Sequence, residues 1–178
     1  AIQGFAGEHL PITLPVAVVT KLDTLCEQQG VTRYMVLLAT FGLLLSRYSR
    51  QTDLCVGSPV AGRQHPATEN LIGLFVNTLV MRLHINEDSS FKDWLAQVRD
   101  LTLAAQARQD IPFEQVVDAV MPERDISHSP LFQVMFALQS MPHADIALTD
   151  LQIRRQDWHN HTSKFDLTLI LSEDDQTI

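Results

Sequence analysis

The sequence contains no cluster of basic residues, and this absence excludes several kinds of partner. Its 13 Lys and Arg residues stand against 21 Asp and Glu residues, which gives a formal net charge of −8 and a pI near 5.2. Nucleic acids and anionic membranes attract proteins through grouped Lys and Arg side chains. The pairs that occur, Arg47 with Arg50 and Arg154 with Arg155, are spaced as on an ordinary solvated surface. We therefore expect neither nucleic acid nor a membrane as a partner.

Long apolar runs and cysteines are also scarce. The longest apolar stretch, 35–45, is interrupted by Thr and Gly and falls well short of the roughly 20 residues that a membrane-spanning helix needs. No initiator Met or basic leader stands before Ala1, so we expect a segment of a longer chain. The two cysteines, Cys26 and Cys55, lie in apolar periodic segments, which predicts buried free thiols and a cytoplasmic location.

The motifs of several self-contained catalysts are missing. The sequence has no Gly-rich loop ending in Lys-Ser/Thr, no GxGxxG, no GxSxG elbow and no paired cysteine set for zinc. His159 and His161 flank Asn160, with Asp157 nearby, but two histidines in a polar loop are more often solvent-exposed than metal-bound. We therefore predict no metal site. The charged loop 124–127 is interpreted as a turn held by side-chain hydrogen bonds.

What is present is enough for one core, because 46% of the 178 residues are hydrophobic. Apolar periodicity and turn residues predict helices over 15–30, 32–48, 90–105 and 110–121, and strands over 54–56, 78–85, 131–139, 151–154 and 165–171. Thr32 is expected to cap the second helix, whose apolar residues cover nearly its whole surface and predict burial on all sides. The fold class predicted is α/β, a two-layer sandwich of a mixed β-sheet with helices packed on one face.

One stretch, LIGLFVNTLVMR at 71–82, interrupts its apolar run with groups that a core does not need. Beyond Asn77 the residues alternate, which predicts one polar strand face with Thr78, Val80, Arg82 and His84 and one apolar face with Leu79, Met81, Leu83 and Ile85. Two interpretations remain open. The strand is half-buried and Asn77 makes a turn at its entry, or the strand borders a substrate channel.

Three segments together carry a resemblance to a known family. LIGLFVNTLVMR at 71–82, RQDIPFEQVV at 108–117 and RDISHSPLFQVMF at 124–136 resemble, in order and spacing, three motifs from the later part of nonribosomal peptide synthetase condensation domains. GSPVAGR at 57–63 and SKFDLTL at 163–169 fit the same family. The resemblance implies a fold similar to chloramphenicol acetyltransferase, with two like subdomains facing each other across a tunnel. Residues 1–178 would be the C-terminal subdomain, without the N-terminal subdomain and the final C-terminal elements.

The resemblance also implies an activity and a set of partners. Two carrier-protein-bound thioesters would enter the tunnel from opposite ends, and the acceptor amine would attack the donor thioester to form an amide. The substrates would ride on phosphopantetheine arms, with no cofactor bound by the chain itself. The implied partners are upstream and downstream peptidyl carrier proteins, the missing N-terminal subdomain and an adjacent adenylation domain. An exposed face meant for that subdomain would also let the isolated chain self-associate.

The family's HHxxxDG signature is absent, so no catalytic residue is assigned and the chain alone is expected to be inactive. The resemblance implies that Asn77 is a tunnel residue. Ser58, matched by its expected place at a strand end, is a candidate for contacting the acceptor amine. The other motif residues are expected to be structural: Gly73, Phe75, Val76, Thr78, Arg82, Asp110, Pro112, Phe113, Glu114, Arg124, Asp125, Ser127 and Pro130.

Departures from the motifs are small. Arg108 stands where the family often has His, and His128-Ser129 replaces the commoner Arg-Asn. FVNT with a following Arg favours the amide-forming type over the epimerisation and heterocyclisation relatives. Two alternatives stay open: a platform that binds carrier proteins without chemistry, and an acyltransferase of the same fold that makes esters.

Overall fold

The chain forms helices in front of a four-stranded sheet. The computed structural model describes residues 4–69, 71–121, 129–139, 160–173 and 178. Its elements are α1 (Val16–Gln29), α2 (Arg33–Ser49), β1 (Asp53–Val60), a 3-10 turn (Pro66–Thr68), β2 (Asn77–His84), α3 (Phe91–Gln106), α4 (Phe113–Val120), β3 (Val134–Gln139) and β4 (Leu167–Ser172). The strand order is β2-β1-β3-β4. The β1 and β2 strands are antiparallel, whereas β3 runs parallel to both β1 and β4. The predicted mixed α/β sandwich is confirmed.

Local signals in the sequence place the helix ends. Gly30 ends α1 in the left-handed conformation, with φ 62°, where glycine has no steric penalty. The Thr32 hydroxyl accepts a hydrogen bond from the Met35 backbone N–H at 3.3 Å, which confirms the predicted cap of α2. Ser90 caps α3 in the same way, accepting from the Asp93 N–H at 3.2 Å. These caps satisfy backbone donors that have no partner inside the helix.

The core lies between the sheet and the two central helices. The largest side chains with essentially no exposure are Leu38 of α2, Val56 of β1, Met81 and Leu83 of β2, Leu95 and Val98 of α3, and Phe136 of β3. The indole N–H of Trp94 donates to the Ala39 carbonyl at 3.0 Å and ties α3 to α2 inside this core. Burial on one face of β2 matches the alternation predicted for 78–85, because Met81 and Leu83 are buried whereas Arg82 and His84 are exposed.

Contacts distant in sequence tie the first part of the chain to the last. Arg33 forms ion pairs with Asp23 of α1 at 2.6 Å and with Glu173 after β4 at 3.3 Å. The Leu14 N–H donates to the Ile178 carbonyl at 2.9 Å, and residues 6 and 162 form an isolated antiparallel bridge. The two ends of the described chain therefore close on each other.

Three expectations need correction. The α2 helix has the most buried residues of the four helices described, but burial on all sides is wrong, because Leu44 is 52% and Tyr48 85% exposed. Cys26 and Cys55 are free but only half-buried.

The third correction concerns strand lengths. Gly57, Ser58 and Pro59 do not end β1, which pairs with β2 over all eight of its residues, from Asp53 to Val60. The β3 strand starts at Val134 and not at 131, because Leu131 has φ 66° and turns the chain. The strand predicted at 151–154 and the turn predicted at 124–127 lie outside the described residues.

Helix length and composition bear on the membrane question. No single helix of the described residues is long and apolar enough to cross a membrane, and α1 and α2 pass that test only as a pair bent by 106°.

Candidate functional site

The two parallel strands β1 and β3 separate beside a cavity. They pair only at Val56 with Val134 and at Gly57 with Met135, although both strands continue. The cavity at this separation has a volume of about 240 Å³. It is lined by Tyr34, Ser58, Pro59, Val60, Leu79, Met81, Thr102, Gln106 and Leu138. Pro59 lies where β1 has lost its β3 neighbour, a setting that tolerates a residue without an N–H.

Ser58 is part of this cavity wall and is only 2% exposed. The Tyr34 hydroxyl donates a hydrogen bond to the Ser58 oxygen at 2.8 Å, so α2 orients the serine. Burial raises the pKa of Tyr34, which keeps the phenol protonated as the donor. Because Ser58 uses its oxygen to accept this bond, its own hydroxyl proton remains able to donate elsewhere. Ser58 thus lies on a cavity, near the carboxyl end of β1 but not at its last residue, and its place in a substrate tunnel remains a prediction.

Asn77 is the first residue of β2 and holds the segment between α3 and α4. Its Nδ2 donates to the carbonyls of Gln109 and Ile111, both at 2.8 Å. Its Oδ1 accepts from the N–H of Thr78 at 2.9 Å and of Phe113 at 3.1 Å. The position agrees with the interpretation of an Asn at a strand entry. Both amide hydrogens and two lone pairs of Asn77 are engaged with the loop that it holds, and its place in a substrate tunnel remains a prediction.

The loop 71–76 before β2 is held through Phe75, whereas other apolar side chains of the loop are exposed. The Arg63 guanidinium lies 4.3 Å from the centroid of the Phe75 ring, a cation–π contact. Gly62 has φ 64°, and a Cβ there would overlap the Phe75 carbonyl oxygen. Beyond this anchor, Ile72 is fully exposed and Leu74 is 92% exposed. Ile72 and Leu74 therefore present apolar surface to the outside of the loop.

Several motif residues predicted to be structural make contacts within the fold, although that role itself remains a prediction. A Cβ on Gly73 would lie 3.0 Å from the Phe75 ring. Arg82 pairs with Asp53 of the neighbouring strand at 2.7 Å, and this pairing lowers the pKa of the Asp53 carboxyl. Pro112 precedes the first helical residue of α4, where its missing N–H costs nothing.

The remaining motif residues differ in exposure. Thr78 is half-buried in β2, whereas Val76, Asp110 and Pro130 are exposed, as is Glu114 in the first turn of α4. Arg124, Asp125 and Ser127 lie outside the described residues.

An aromatic cluster covers the sheet face opposite to Ser58. The Phe132 ring lies over Gly57, leaving no room for a side chain there. Its centroid is 5.6 Å from that of Phe113 and 5.3 Å from that of Phe165. Four of the five segments that fit the family, 57–63, 108–117, 124–136 and 163–169, therefore meet at one place. The sequence reasoning missed this cluster, and also Tyr34 and Arg63, because their partners are distant in sequence.

A metal centre finds no support in this part of the chain. Within the described ranges, no group of three or more His, Cys, Asp or Glu side chains could hold an ion. His161 lies 2.9 Å from the Glu8 carboxylate, whereas His159 falls outside these ranges.

Comparison with known proteins first defines the class. The fold matches a four-domain nonribosomal peptide synthetase solved with AMP and glycine at a TM-score of 0.81 and 25% identity, over 97% of this chain and 14% of that one. It also matches the first condensation domain of the CDA synthetase at a TM-score of 0.70 and 19% identity, over 96% of this chain and 38% of that one. Both matches show that this chain has a fold found in condensation domains and their synthetases.

The family follows from the sequence. The Condensation domain model matches residues 1–178, and the chain belongs to this family. It is 43% identical over 178 residues to malpinin synthetase of Mortierella alpina, covering 100% of the chain and 2% of that protein. Surfactin synthase subunit 1 of Bacillus subtilis (strain 168) is 41% identical, over 99% of the chain and 5% of that protein. The chain thus spans a few per cent of the length of these curated relatives.

Proposed function

We propose that residues 1–178 form the C-terminal subdomain of a condensation domain that joins two carrier-bound substrates through an amide. The observation that carries this proposal is the family match over the whole chain. Supporting it, the chain covers only 38% of a solved condensation domain at the same fold. An N-terminal subdomain with the HHxxxDG signature would complete the tunnel, and this chain would supply one wall, including Ser58 and the loop held by Asn77.

The proposal includes the partners and the compartment. Peptidyl carrier proteins deliver both thioesters on phosphopantetheine arms, and an adenylation domain lies next to the condensation domain in the same synthetase. The exposed side chains of loop 71–76 are suited to contact the missing subdomain. We place the domain in the cytoplasm because Cys26 and Cys55 are both free thiols.

Amide formation needs both halves for a geometric reason. The amine and the thioester carbon must be held within reach of each other, and such positioning contributes a large part of the rate. One wall cannot align two arms. The catalytic group of the signature is also lacking here, and losing such a group typically costs about 10² to 10⁴ in rate. The chain alone is therefore inactive in this proposal.

The test supplies both loaded carrier proteins to the 178-residue chain and to the chain mixed with its N-terminal half. We expect an amide product, detected by mass spectrometry, only from the mixture. Product from the chain alone, above uncatalysed aminolysis, would overturn the proposal. Offering amine and hydroxyl acceptors in parallel separates amide formation from the ester-forming alternative.

A second candidate is a platform that binds other proteins without chemistry. The observation in its favour is that the X-domain from teicoplanin biosynthesis shares this fold at a TM-score of 0.83 and has been solved in a complex with OxyB. A completed domain that binds carrier proteins but yields no condensation product would support this second candidate.

A further inference from the structure

The cavity between β1 and β3 is large enough to hold part of a small molecule. Its volume of about 240 Å³ exceeds the roughly 150 Å³ of an engineered cavity that accepts benzene. Five of its lining residues are apolar: Pro59, Val60, Leu79, Met81 and Leu138. Gln106 also lines it and is exposed, which places this residue at the mouth. A molecule can therefore enter from solvent between α3 and the sheet.

The chemistry of the walls restricts what can enter. None of the nine lining residues carries a formal charge. A charged group would lose its hydration here without meeting an opposite charge, which is strongly unfavourable. The hydroxyl of Thr102 is already committed to the Val98 carbonyl at 2.7 Å, whereas Ser58 retains a proton to donate. The cavity therefore suits an uncharged, mainly apolar group that has at most a few hydrogen-bonding atoms.

The cavity lies near the carboxyl ends of two parallel strands, β1 and β3. In open α/β sheets, ligands occupy crevices at the carboxyl ends of parallel strands. Ser58, Pro59 and Val60 form the carboxyl end of β1, and Leu138 is the next-to-last residue of the parallel strand β3. The cavity thus lies near the carboxyl ends of the parallel neighbours β1 and β3.

We propose that this cavity is a side-chain pocket that selects uncharged, apolar aminoacyl groups among the carrier-bound substrates. The inference rests on the proposed function, because that function supplies aminoacyl thioesters. Leu79, Met81 and Leu138 contact the side chain, and Ser58 donates to a polar atom next to it. Either the donor or the acceptor substrate can present such a group, and the experiment distinguishes them.

The first measurement detects binding without catalysis. In the intact condensation domain labelled with ¹³C at methionine methyls, the Met81 signal is assigned by its loss in Met81→Leu. Cysteamine amides of leucine, lysine, glutamate and glycine are then titrated as non-hydrolysable probes. We expect the leucyl probe to shift the Met81 signal and the glycyl, lysyl and glutamyl probes to leave it unchanged. No shift with the leucyl probe, or equal shifts with all four, would overturn the pocket.

The second measurement uses matched variants of α3. Gln106→Trp blocks the mouth, and Leu103→Trp places the same bulk at a 52% exposed residue that does not line the cavity. We expect Gln106→Trp to lower kcat/KM for leucyl substrates roughly tenfold or more, with glycyl substrates little changed. Leu103→Trp should match the wild type with both.

These comparisons distinguish the donor from the acceptor substrate, and the pocket from the proposed function. Presenting leucine first on the donor and then on the acceptor shows which substrate uses the pocket. Equal losses for leucyl and glycyl substrates in Gln106→Trp, or none, would overturn the pocket while condensation itself still supports the proposed function. A domain that forms no product with any substrate would overturn the proposed function, and the Met81 titration then decides the pocket by itself.

Discussion

Replacing Asn77 by Ala removes four hydrogen bonds at once and is the most direct test of how this region is built. The carboxamide contacts the backbone of Gln109, Ile111, Phe113 and Thr78. A typical intramolecular hydrogen bond contributes about 0.5–1.5 kcal/mol net, and half-buried partners recover part of this from water. Taking the lower half of that range for each bond gives a loss of about 2–4 kcal/mol. In a unit of 150–250 residues each kcal/mol lowers Tm by about 2–4 °C, and in the larger intact domain the shift is smaller.

The assay compares urea and thermal unfolding of wild type, Asn77→Ala and Asn77→Asp in the intact domain. The Asp variant keeps both acceptor bonds but sets a carboxylate against two carbonyl oxygens, so we expect it to be at least as destabilised at neutral pH. If the loop segment 109–113 loosens, condensation should fall together with stability. A lower condensation rate with Tm unchanged in Asn77→Ala would refute this reasoning and support direct contact with substrate.

Three further outcomes are expected. Gly62→Ala should lower the free energy of unfolding by more than about 1 kcal/mol, because residue 62 needs positive φ and a Cβ would strike Phe75; an unchanged urea midpoint would contradict this. The hydrogen bond from Arg33 lowers the pKa of Asp23. The ionised carboxylate therefore stabilises the fold fully above the ordinary carboxyl pKa, and this stabilisation is lost as the pH falls through the lowered pKa. In Asp23→Asn the free energy of unfolding should depend less on pH in that range. The isolated chain should self-associate through its exposed apolar loop, and a monomer by light scattering at high concentration would count against this.

Local chemistry made much of the fold predictable. The Thr32 cap depends on residues only three positions apart, and it is found where the sequence placed it. The alternation over 78–85 also predicted the correct faces of β2. Such features need no knowledge of the rest of the chain, because the groups that interact are neighbours in sequence.

Contacts between residues distant in sequence could not be predicted from local patterns. Gly57-Ser58-Pro59 has the composition of a turn, yet β1 continues through it because β2 supplies partners for every residue up to Val60. The exposure of Tyr48 could not be read from apolar content, since it depends on which side of α2 meets α3. Likewise, Tyr34 and Ser58 are 24 residues apart, and only the folded chain shows that they share a hydrogen bond at the cavity. The role of Ser58 toward a substrate remains a prediction.

The joining of the chain's two ends has a consequence for the order in which it folds. The Arg33 to Glu173 ion pair spans 140 residues, so forming it closes a very long loop. Closing such a loop costs entropy before any contact returns stability. During synthesis α1 and α2 emerge long before β4, so their apolar surfaces are formed before the last strand of the sheet is available. We therefore expect the contacts of Arg33 with Glu173 and of Leu14 with Ile178 to form late, and the Leu14 amide to be among the first protected amides to exchange.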